Sequence, residues 1–478
     1  RLNLRPYTHA TSPIRRYFDI VLHRMLSACI SNTEPPYSES DLVDIAYRSN
    51  IASLNKNYTD VNDLLGSLIP GKTLTPLNDV QTEATRAALS EPFTLIQGPP
   101  GTGKTITGVY LAYYFCKRNS SRRGVRNRVL YCGPSNKSVD VVAEKLLNLK
   151  ESCPNIIRVY SERIEQMEFP LPRNSILTTK RSSTEVSKNP AVKDRSLHHL
   201  IRAPDNTYSK QIKEFDRVFQ PSIPDDIIID ESGMCTEPET IIPLTSFDAS
   251  NIVLIGDHKQ LQPILTEQKA KQLGLQTSLF ERYAKQALML EKQYRMHEGI
   301  MEFPSTKFYG GRLRCATDRQ SQPVELDVWP QGRLLPTALC HTEGDEKTLT
   351  VATEDGSAMS KSNPKEVDFA DCELPEIQVS TVVASQGSEW EYVILSTVRS
   401  LAKDMLEHDP SRSWIGENLG FIADDHQLNV AITRAKQGFI IIGNTHLLKC
   451  HRTWKELTEH YEERGLLVDA EDYPLCRR

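Results

Sequence analysis

The sequence predicts an α/β fold built on parallel sheets, and two observations lead to this prediction. Short apolar strands alternate with helical patterns along most of the chain, as they do where crossover helices join parallel strands. The predicted strands are residues 93–96, 129–132, 227–229, 252–255, 392–396 and 439–442. In addition, a glycine-rich loop lies between the first of these strands and a helical run over residues 106–117. That is the context of a phosphate-binding loop.

Composition fits a globular chain with room for about three domains. The 478 residues are 39% hydrophobic and 25% charged, and the formal charge is −5. A nucleic-acid surface must therefore be a local basic patch. No apolar run reaches the length of a membrane span, so we expect no membrane partner.

The ten cysteines lack paired spacings, which favours reduced thiols in an intracellular protein. The chain begins with Arg1 and no signal peptide, which suggests a fragment of a longer protein.

The order of patterns predicts three parts. Residues 1–64 read as mainly helical, and residues 65–76, with Pro70, Gly71 and Pro76, read as a linker. The first α/β domain is predicted over 77–285, with a polar, partly helical insertion at about 150–222. The second is predicted over 286–478, where residues 314–376 read as mostly loop with weak strand signals.

The glycine-rich loop fits the phosphate-loop pattern in full. Its glycines let successive backbone N–H groups point at phosphates, and the following helix adds the partial charge of its N-terminus. We expect Lys104 to reach the β- and γ-phosphates of ATP and the Thr105 hydroxyl to ligate Mg²⁺. The predicted phosphate-binding residues are Gly98, Pro99, Pro100, Gly101, Thr102, Gly103, Lys104 and Thr105.

Carboxylates and polar clusters follow three later strand signals. The strand at 227–229 ends in Asp230 and Glu231, which suit a metal ligand and a residue that polarises water. Gln260 lies in a loop after the strand at 252–255 and could sense a γ-phosphate. Tyr294 and Arg295 place an aromatic ring beside a guanidinium, which could stack on a base and pair with phosphate. By spacing alone, the last two clusters also fit ordinary surface loops.

The order of these motifs resembles that of superfamily 1 helicases of the up-frameshift type. The series runs over residues 77–81, 96–105, 133–136 with 139–140, 230–233, 256–263, 293–296, 385–389 and 428–435. The resemblance implies two RecA-like domains that close on ATP and move single-stranded RNA or DNA across their surface. It assigns Gln81 to the adenine edge and Tyr294 to its face. It assigns Gln260, Arg295 and Arg434 to the γ-phosphate, with Arg434 as an arginine finger.

The resemblance assigns two further sets of contacts. Gly387 and Glu389 would approach the nucleotide from the second domain. Pro134, Ser135 and Asn136 would contact the nucleic-acid backbone through polar groups.

The amino-terminal segment resembles the end of a ribonuclease II/R (RNB) domain. The similarity covers residues 7–17 with His23 and Arg24, and it places Arg15 or Arg16 near a scissile phosphate. The metal-binding carboxylates of that family precede this stretch, so we expect no exoribonuclease activity from this remnant. The resemblance to proteins that join both parts implies RNA binding, ribonuclease and helicase activity, and nuclear-receptor coactivator complexes in the nucleus or cytoplasm.

The sequence departs from the helicase pattern at two places. A strand is expected before residue 224, and a helix, a strand and a nucleotide-contacting motif are expected near 368–378. The first interpretation is an ATP-driven translocase. The second is a catalytically weakened helicase module that serves as an RNA-binding or coactivator scaffold. A metabolic phosphate-loop kinase fits poorly, because it needs neither Tyr294 with Arg295 nor Arg434.

Overall fold

A computed structural model describes most of the chain from residue 75 onward. The described residues are 75–118, 127–150, 153–161, 164–165, 168–169, 189–202, 224–247, 249–316, 324–326, 328–353, 356–370 and 378–473. The predictions for residues 1–64, for most of the linker and for much of the insertion lie outside these residues.

The first sheet has five parallel strands in the order β2-β3-β4-β1-β5. They are β1 (Phe93–Gln97), β2 (Val129–Cys132), β3 (Asp226–Ile229), β4 (Asn251–Gly256) and β5 (Leu288–Met289). β5 lies just beyond the predicted boundary at 285, and the domain limits stay predictions. All four residues of β3 are buried, as in a parallel strand with both faces covered.

Helices cover the first sheet on both sides. The main helices are α1 (Asp79–Ser90), α2 (Lys104–Lys117), α3 (Asn136–Leu147) and α6 (Glu237–Ser246). Alternate strand residues face opposite sides. Ile96 therefore packs in the core with α1 and α2, while Leu95 packs on the opposite face with Phe280. Short helices α4 (Pro190–Lys193), α5 (Leu197–Leu200), α7 (Gln268–Gln272) and α8 (Leu279–Arg282) lie in the connections.

The second sheet has four parallel strands in the order β11-β12-β8-β13. They are β8 (Thr337–His341), β11 (Trp390–Ser396), β12 (Ala435–Gly443) and β13 (Leu467–Asp469). The helices around it are α9 (Glu298–Tyr309), α10 (Pro364–Ala370), α11 (Arg412–Asn418), α12 (Asp425–Ile432), α13 (Thr445–Leu448) and α14 (Arg452–Glu463). Trp454 and Tyr461 of α14 pack in one core with Phe439 of β12. The α/β prediction and the two RecA-like sheets are confirmed.

The expectation of mostly loop over 314–376 is wrong. The described part contains β8 and α10, together with an antiparallel pair formed by β9 (Lys347–Thr353) and β10 (Gly356–Ser362). Thr, Lys and Ser residues dilute the apolar alternation of this pair, which explains the weak strand signal. A short parallel pair is formed by β6 (Lys292–Gln293) and β7 (Arg314–Cys315). Along the chain, this pair lies between the last strand of the first sheet and the first strand of the second.

Among the described helices, none has the length and apolar character that a membrane crossing requires.

Candidate nucleotide-binding site

The phosphate loop lies at the carboxyl end of β1 and opens α2. Gly101 and Gly103 have φ of 73° and 83°, in the left-handed region that favours glycine. A Cβ on Gly103 would come within 2.6 Å of Gln81 Nε2, so a side chain here would collide. The Lys104 ammonium donates to the Gly98 carbonyl at 2.6 Å. The loop therefore has the open backbone cradle and the cation that a phosphate requires.

Gln81 and Tyr294, the two residues predicted to contact adenine, lie on opposite sides of one asparagine beside the phosphate loop. Gln81 forms a capping box with Asn78, and its Nε2 donates to the Thr102 carbonyl at 2.9 Å. Asn78 Nδ2 donates to the Tyr294 hydroxyl at 2.8 Å, and the Tyr294 backbone N–H donates to Gly101. No role was predicted for Asn78, although the Asn-x-x-Gln spacing before α1 is a recognisable capping box.

Asp230 and Glu231 follow β3, as predicted. The Tyr131 hydroxyl donates to Asp230 Oδ2 at 2.8 Å, and the Glu231 backbone N–H donates to Oδ1 at 2.9 Å. Burial and the charge of Glu231 raise the pKa of Asp230 to about 6, although Tyr131 and Lys104 act in the opposite direction. Buried Asp230 and partly exposed Glu231 together suit a hard cation such as Mg²⁺, which relieves the repulsion between the two carboxylates. Glu231 has φ 49°, an uncommon value for a residue with a side chain.

Gln260 is held by a buried network that crosses between the sheets. Its Nε2 donates to Asp257 Oδ2 at 2.7 Å, and the Tyr309 hydroxyl donates to the same oxygen at 2.7 Å. Asn429 of α12 donates in turn to the Tyr309 oxygen at 2.8 Å. Asp257 and Tyr309 were not singled out from the sequence. Asp257 sits within a quoted motif, but its role becomes visible only through contacts distant in sequence.

Arg434 stands at the amino end of β12 and faces the first sheet. It is only 2% exposed, its Nε donates to the Val430 carbonyl at 2.8 Å, and its Nη2 lies 3.5 Å from Gln260 Oε1. Burial and the nearby charge of Arg295 lower the pKa of Arg434 to about 9, which leaves it protonated at neutral pH. Within the described residues no carboxylate pairs directly with this buried guanidinium, which makes it a ready partner for an anionic ligand.

Arg295 pairs with the predicted second-domain residue Glu389. Arg295 Nε lies 2.8 Å from Glu389 Oε2, and Arg295 Nη1 donates to the Thr433 carbonyl at 3.1 Å. Although burial acts to raise it, the charge and hydrogen bond of Arg295 lower the pKa of Glu389. Gly387, also predicted to approach the nucleotide, has φ 74° in the turn before Glu389. Arg295 and Glu389 both lie in the predicted second domain, so this ion pair joins two segments of that domain.

The three residues predicted to bind nucleic acid lie at the start of α3. Pro134 and Ser135 are exposed, and the Ser135 side chain accepts from the Ser138 backbone N–H as a helix cap. Asn136 Oδ1 accepts from Arg158 at 3.0 Å, so this oxygen already has a partner within the protein. Lys137, which was not singled out, donates to Ser388 of the second domain at 2.7 Å. These nucleic-acid contacts stay predictions.

Family profiles match most of the chain. Two profiles described as AAA domain match residues 76–222 with 207–268, and residues 275–374 with 370–446. A profile described as RNB domain matches residues 1–32. Each AAA profile matches in two pieces, whose joins fall close to the two places where the sequence departs from the helicase pattern.

Two relatives and one solved structure illustrate the similarity. The chain is 38% identical over 495 residues to human 3'-5' exoribonuclease HELZ2, covering 84% of this chain and 17% of that protein. It is 32% identical over 481 residues to ATP-dependent helicase upf1 of Schizosaccharomyces pombe, covering 85% of this chain and 50% of that protein. An arterivirus nonstructural protein 10 helicase solved with DNA covers 78% of this chain and 63% of its own, at 14% identity and a TM-score of 0.35. So low a score carries no argument about function.

The two sheets and the phosphate loop define a phosphate-loop nucleoside triphosphatase with two RecA-like domains. The family of this chain is one subset of these nucleoside triphosphatases. The chain belongs to the superfamily 1 helicases of the up-frameshift type, with an RNB-like segment at its amino-terminal end. This is a family of ATP-dependent enzymes that use a nucleotide and a divalent metal. The chain spans half or less of the length of both relatives.

Proposed function

We propose that the chain is an ATP-driven translocase on single-stranded RNA or DNA. The observation that carries this proposal is the meeting of Arg434 with Gln260. The guanidinium belongs to the second sheet and the amide to the first, and both are buried at the cleft above the phosphate loop. A site shared by two domains changes when the domains move, so hydrolysis there can be coupled to movement along a strand.

Each residue has a defined part in phosphoryl transfer. Lys104 neutralises the β- and γ-phosphates, while Arg295 and Arg434 stabilise the charge that develops on the γ-phosphate. Glu231 orients and polarises the attacking water. Thr105 and Asp230 would hold Mg²⁺, which supplies further charge neutralisation when it is bound.

Contacts across the cleft supply the coupling. Gln386 Nε2 donates to Glu231 at 3.3 Å, and Arg434 Nη2 lies 3.5 Å from Gln260 Oε1. Both contacts involve side chains that ATP needs. Nucleotide binding therefore exchanges contacts between the domains for contacts to the phosphates, which shifts the position of the second domain against the first.

Steady-state ATP hydrolysis with and without single-stranded RNA tests the proposal. We expect RNA to stimulate turnover and Lys104→Ala to abolish it. Lys259→Ala is a matched control, because this lysine lies near the cleft but has no assigned phosphate contact. ATP turnover that is indifferent to every single-stranded RNA and DNA tested would overturn translocation and favour another nucleotide-dependent role.

The finer assignments rest on the family resemblance. We propose 5′→3′ movement, a preference for RNA, and a place in nuclear-receptor coactivator complexes in the nucleus or cytoplasm. Strand displacement on duplexes with either a 5′ or a 3′ overhang tests polarity. Unwinding that requires the 3′ overhang would reverse the assignment.

A weakened helicase acting as a scaffold is the second candidate, and β11 favours it. Within the described part of the chain, β11 pairs with β12 alone, and none of its seven residues is fully buried. The profile match also breaks at 370–374, shortly before this strand. RNA binding without RNA-stimulated ATP turnover would select this candidate over the translocase.

A further inference from the structure

A cluster of possible metal ligands lies at the far end of the second sheet. It comprises His341 at the end of β8, Glu343 two residues later, and His446 in the first turn of α13. Arg434 precedes the opposite end of β12. At about 3.3 Å per residue, the length of β12 separates this cluster from the nucleotide cleft by roughly 26 Å. The cluster is therefore independent of the nucleotide site.

The distances from the Glu343 carboxylate to the two imidazole nitrogens suit a shared metal ion better than direct hydrogen bonds. Glu343 Oε1 lies 3.6 Å from His446 Nε2 and 3.8 Å from His341 Nε2, beyond hydrogen-bond range in both cases. Ligands about 2.1 Å from a tetrahedral ion are about 3.4 Å apart. The two distances from Glu343 are close to this separation, and all three ligand atoms lie within 4.8 Å of one another, so a small contraction would let them share one ion.

A second group of the same composition shows the contrast. Glu168 Oε2 lies 2.7 Å from His198 Nε2 and 2.8 Å from His199 Nε2, and Lys193 lies 2.9 Å from Oε1. These are direct hydrogen bonds and an ion pair that already satisfy the carboxylate. A metal there would have to displace both imidazole contacts.

The backbone around the cluster fixes its ligands. Asn444 is buried and accepts from the backbone N–H of His446, while its Nδ2 donates to the Ser400 hydroxyl and the Leu401 carbonyl. The residues on either side of Glu343 are also tied down, because Thr342 N–H donates to Gly443 and Gly344 N–H donates to Ser400. The ligands are thus carried on anchored segments rather than on free loops.

The other nitrogen of His341 contacts Thr445, whose hydroxyl can accept from Nδ1 once Nδ1 is protonated. Its Nδ1 lies 2.7 Å from the Thr445 hydroxyl and 3.2 Å from the Thr445 backbone N–H. The amide contact favours Nδ1 as an acceptor in the metal-free chain. Binding of a metal at Nε2 moves the proton to Nδ1, which then donates to the Thr445 hydroxyl.

We propose that His341, Glu343 and His446 bind a divalent transition-metal ion of the Zn²⁺ type. Two imidazoles and one carboxylate form a donor set that suits zinc, with water in the fourth position. The register neighbour of His341, Asp469 on β13, adds negative charge at this edge. The ion joins the end of β8 to the start of α13 and so stiffens the carboxyl edge of the second sheet.

Zinc titration of the chelator-treated chain by calorimetry tests the proposal without nucleotide. We expect one equivalent to disappear in His446→Ala and to persist in His199→Ala, which alters the hydrogen-bonded cluster instead. Glu343→Gln keeps the size of an exposed side chain, so it tests the site without risk to the fold. We expect it to weaken zinc binding by at least about 100-fold, since loss of an outer partner alone costs about 10- to 100-fold.

Thr445→Val tests whether Thr445 positions the imidazole of His341, because the change leaves the charge of the cluster unaltered. It removes the hydroxyl that receives the Nδ1 proton, and we expect about 10- to 100-fold weaker binding. Cobalt in place of zinc should give the visible absorption of a tetrahedral ion, and His446→Ala should abolish it. The proposal is overturned if the parent chain binds no zinc, or if Glu343→Gln and His446→Ala leave stoichiometry and affinity unchanged.

Discussion

Both described sheets are parallel, but they differ in how well their strands are covered. β3 of the first sheet is buried at every residue and lies between two other strands. β11 of the second sheet lies at an edge and has no fully buried residue. β12, which follows Arg434, is buried at seven of its nine positions. Arg434, the proposed arginine finger, therefore precedes the covered part of the second sheet, and Gln386, Gly387 and Glu389 precede its less covered part.

The largest expected effect lies in the first domain. Lys104→Ala removes the cation on the β- and γ-phosphates, and Glu231→Gln removes the carboxylate that polarises water. Both should abolish ATP turnover, but only Lys104→Ala should greatly weaken nucleotide binding. Steady-state hydrolysis and equilibrium binding of a fluorescent ATP analogue distinguish them. Turnover at the parent rate in Glu231→Gln would remove this residue from its assigned role.

The next effect tests whether the second domain is competent. Arg434→Ala should lower turnover by roughly 10³- to 10⁵-fold and leave nucleotide binding close to that of the parent, because the phosphate loop supplies most of the affinity. Arg434→Lys should restore little, since an ammonium lacks the planar fork of the guanidinium. If Arg434→Ala lowers ATP turnover by less than tenfold with saturating RNA, the result would favour the weakened scaffold over the translocase.

A smaller effect compares the strands directly. Edge strands with partly exposed hydrogen bonds open more easily than covered ones. The amides of β11 should exchange hydrogen at least about tenfold faster than those of β4, a difference of ~1.4 kcal/mol in opening free energy. Hydrogen exchange followed by mass spectrometry on the full chain measures both strands together. Equal protection of β11 and β4 would show that other parts of the chain cover the edge.

The smallest effect concerns the ion pair between Arg295 and Glu389. Glu389→Gln removes the carboxylate that neutralises Arg295 while preserving its shape. If this pair mainly occupies Arg295 in the nucleotide-free chain, ATP affinity should rise by up to about fivefold, as expected for a partly exposed ion pair. Glu391→Gln is a matched control that alters the neighbouring pair with Lys436. A fall in affinity in Glu389→Gln alone would instead support a direct contact between Glu389 and the nucleotide.

Sequence reasoning placed residues correctly in the fold where the pattern depends on neighbours along the chain. The phosphate loop, α2 and the end of β3 combine apolar strands with adjacent polar residues, so spacing alone locates Lys104 and Asp230. It failed over β8 to β10, where small and polar residues hide the strand pattern. It also missed Asp257 and Tyr309, because their hydrogen bond joins segments 52 residues apart in sequence. A sequence motif can include such a residue, but only the fold shows which distant residues it contacts.

The backbone of Glu231 bears on whether the chain has kept its activity. A left-handed conformation costs a residue with a side chain about 1–2 kcal/mol, which glycine largely avoids. Glu231→Gly should therefore raise the thermal unfolding temperature while it abolishes hydrolysis. A scaffold that needs only its surface would become more stable through Glu231→Gly and would lose no function. Backbone strain at a residue assigned to hydrolysis points to a functional constraint on Glu231, and a more stable but inactive Glu231→Gly chain would display this compromise between stability and activity.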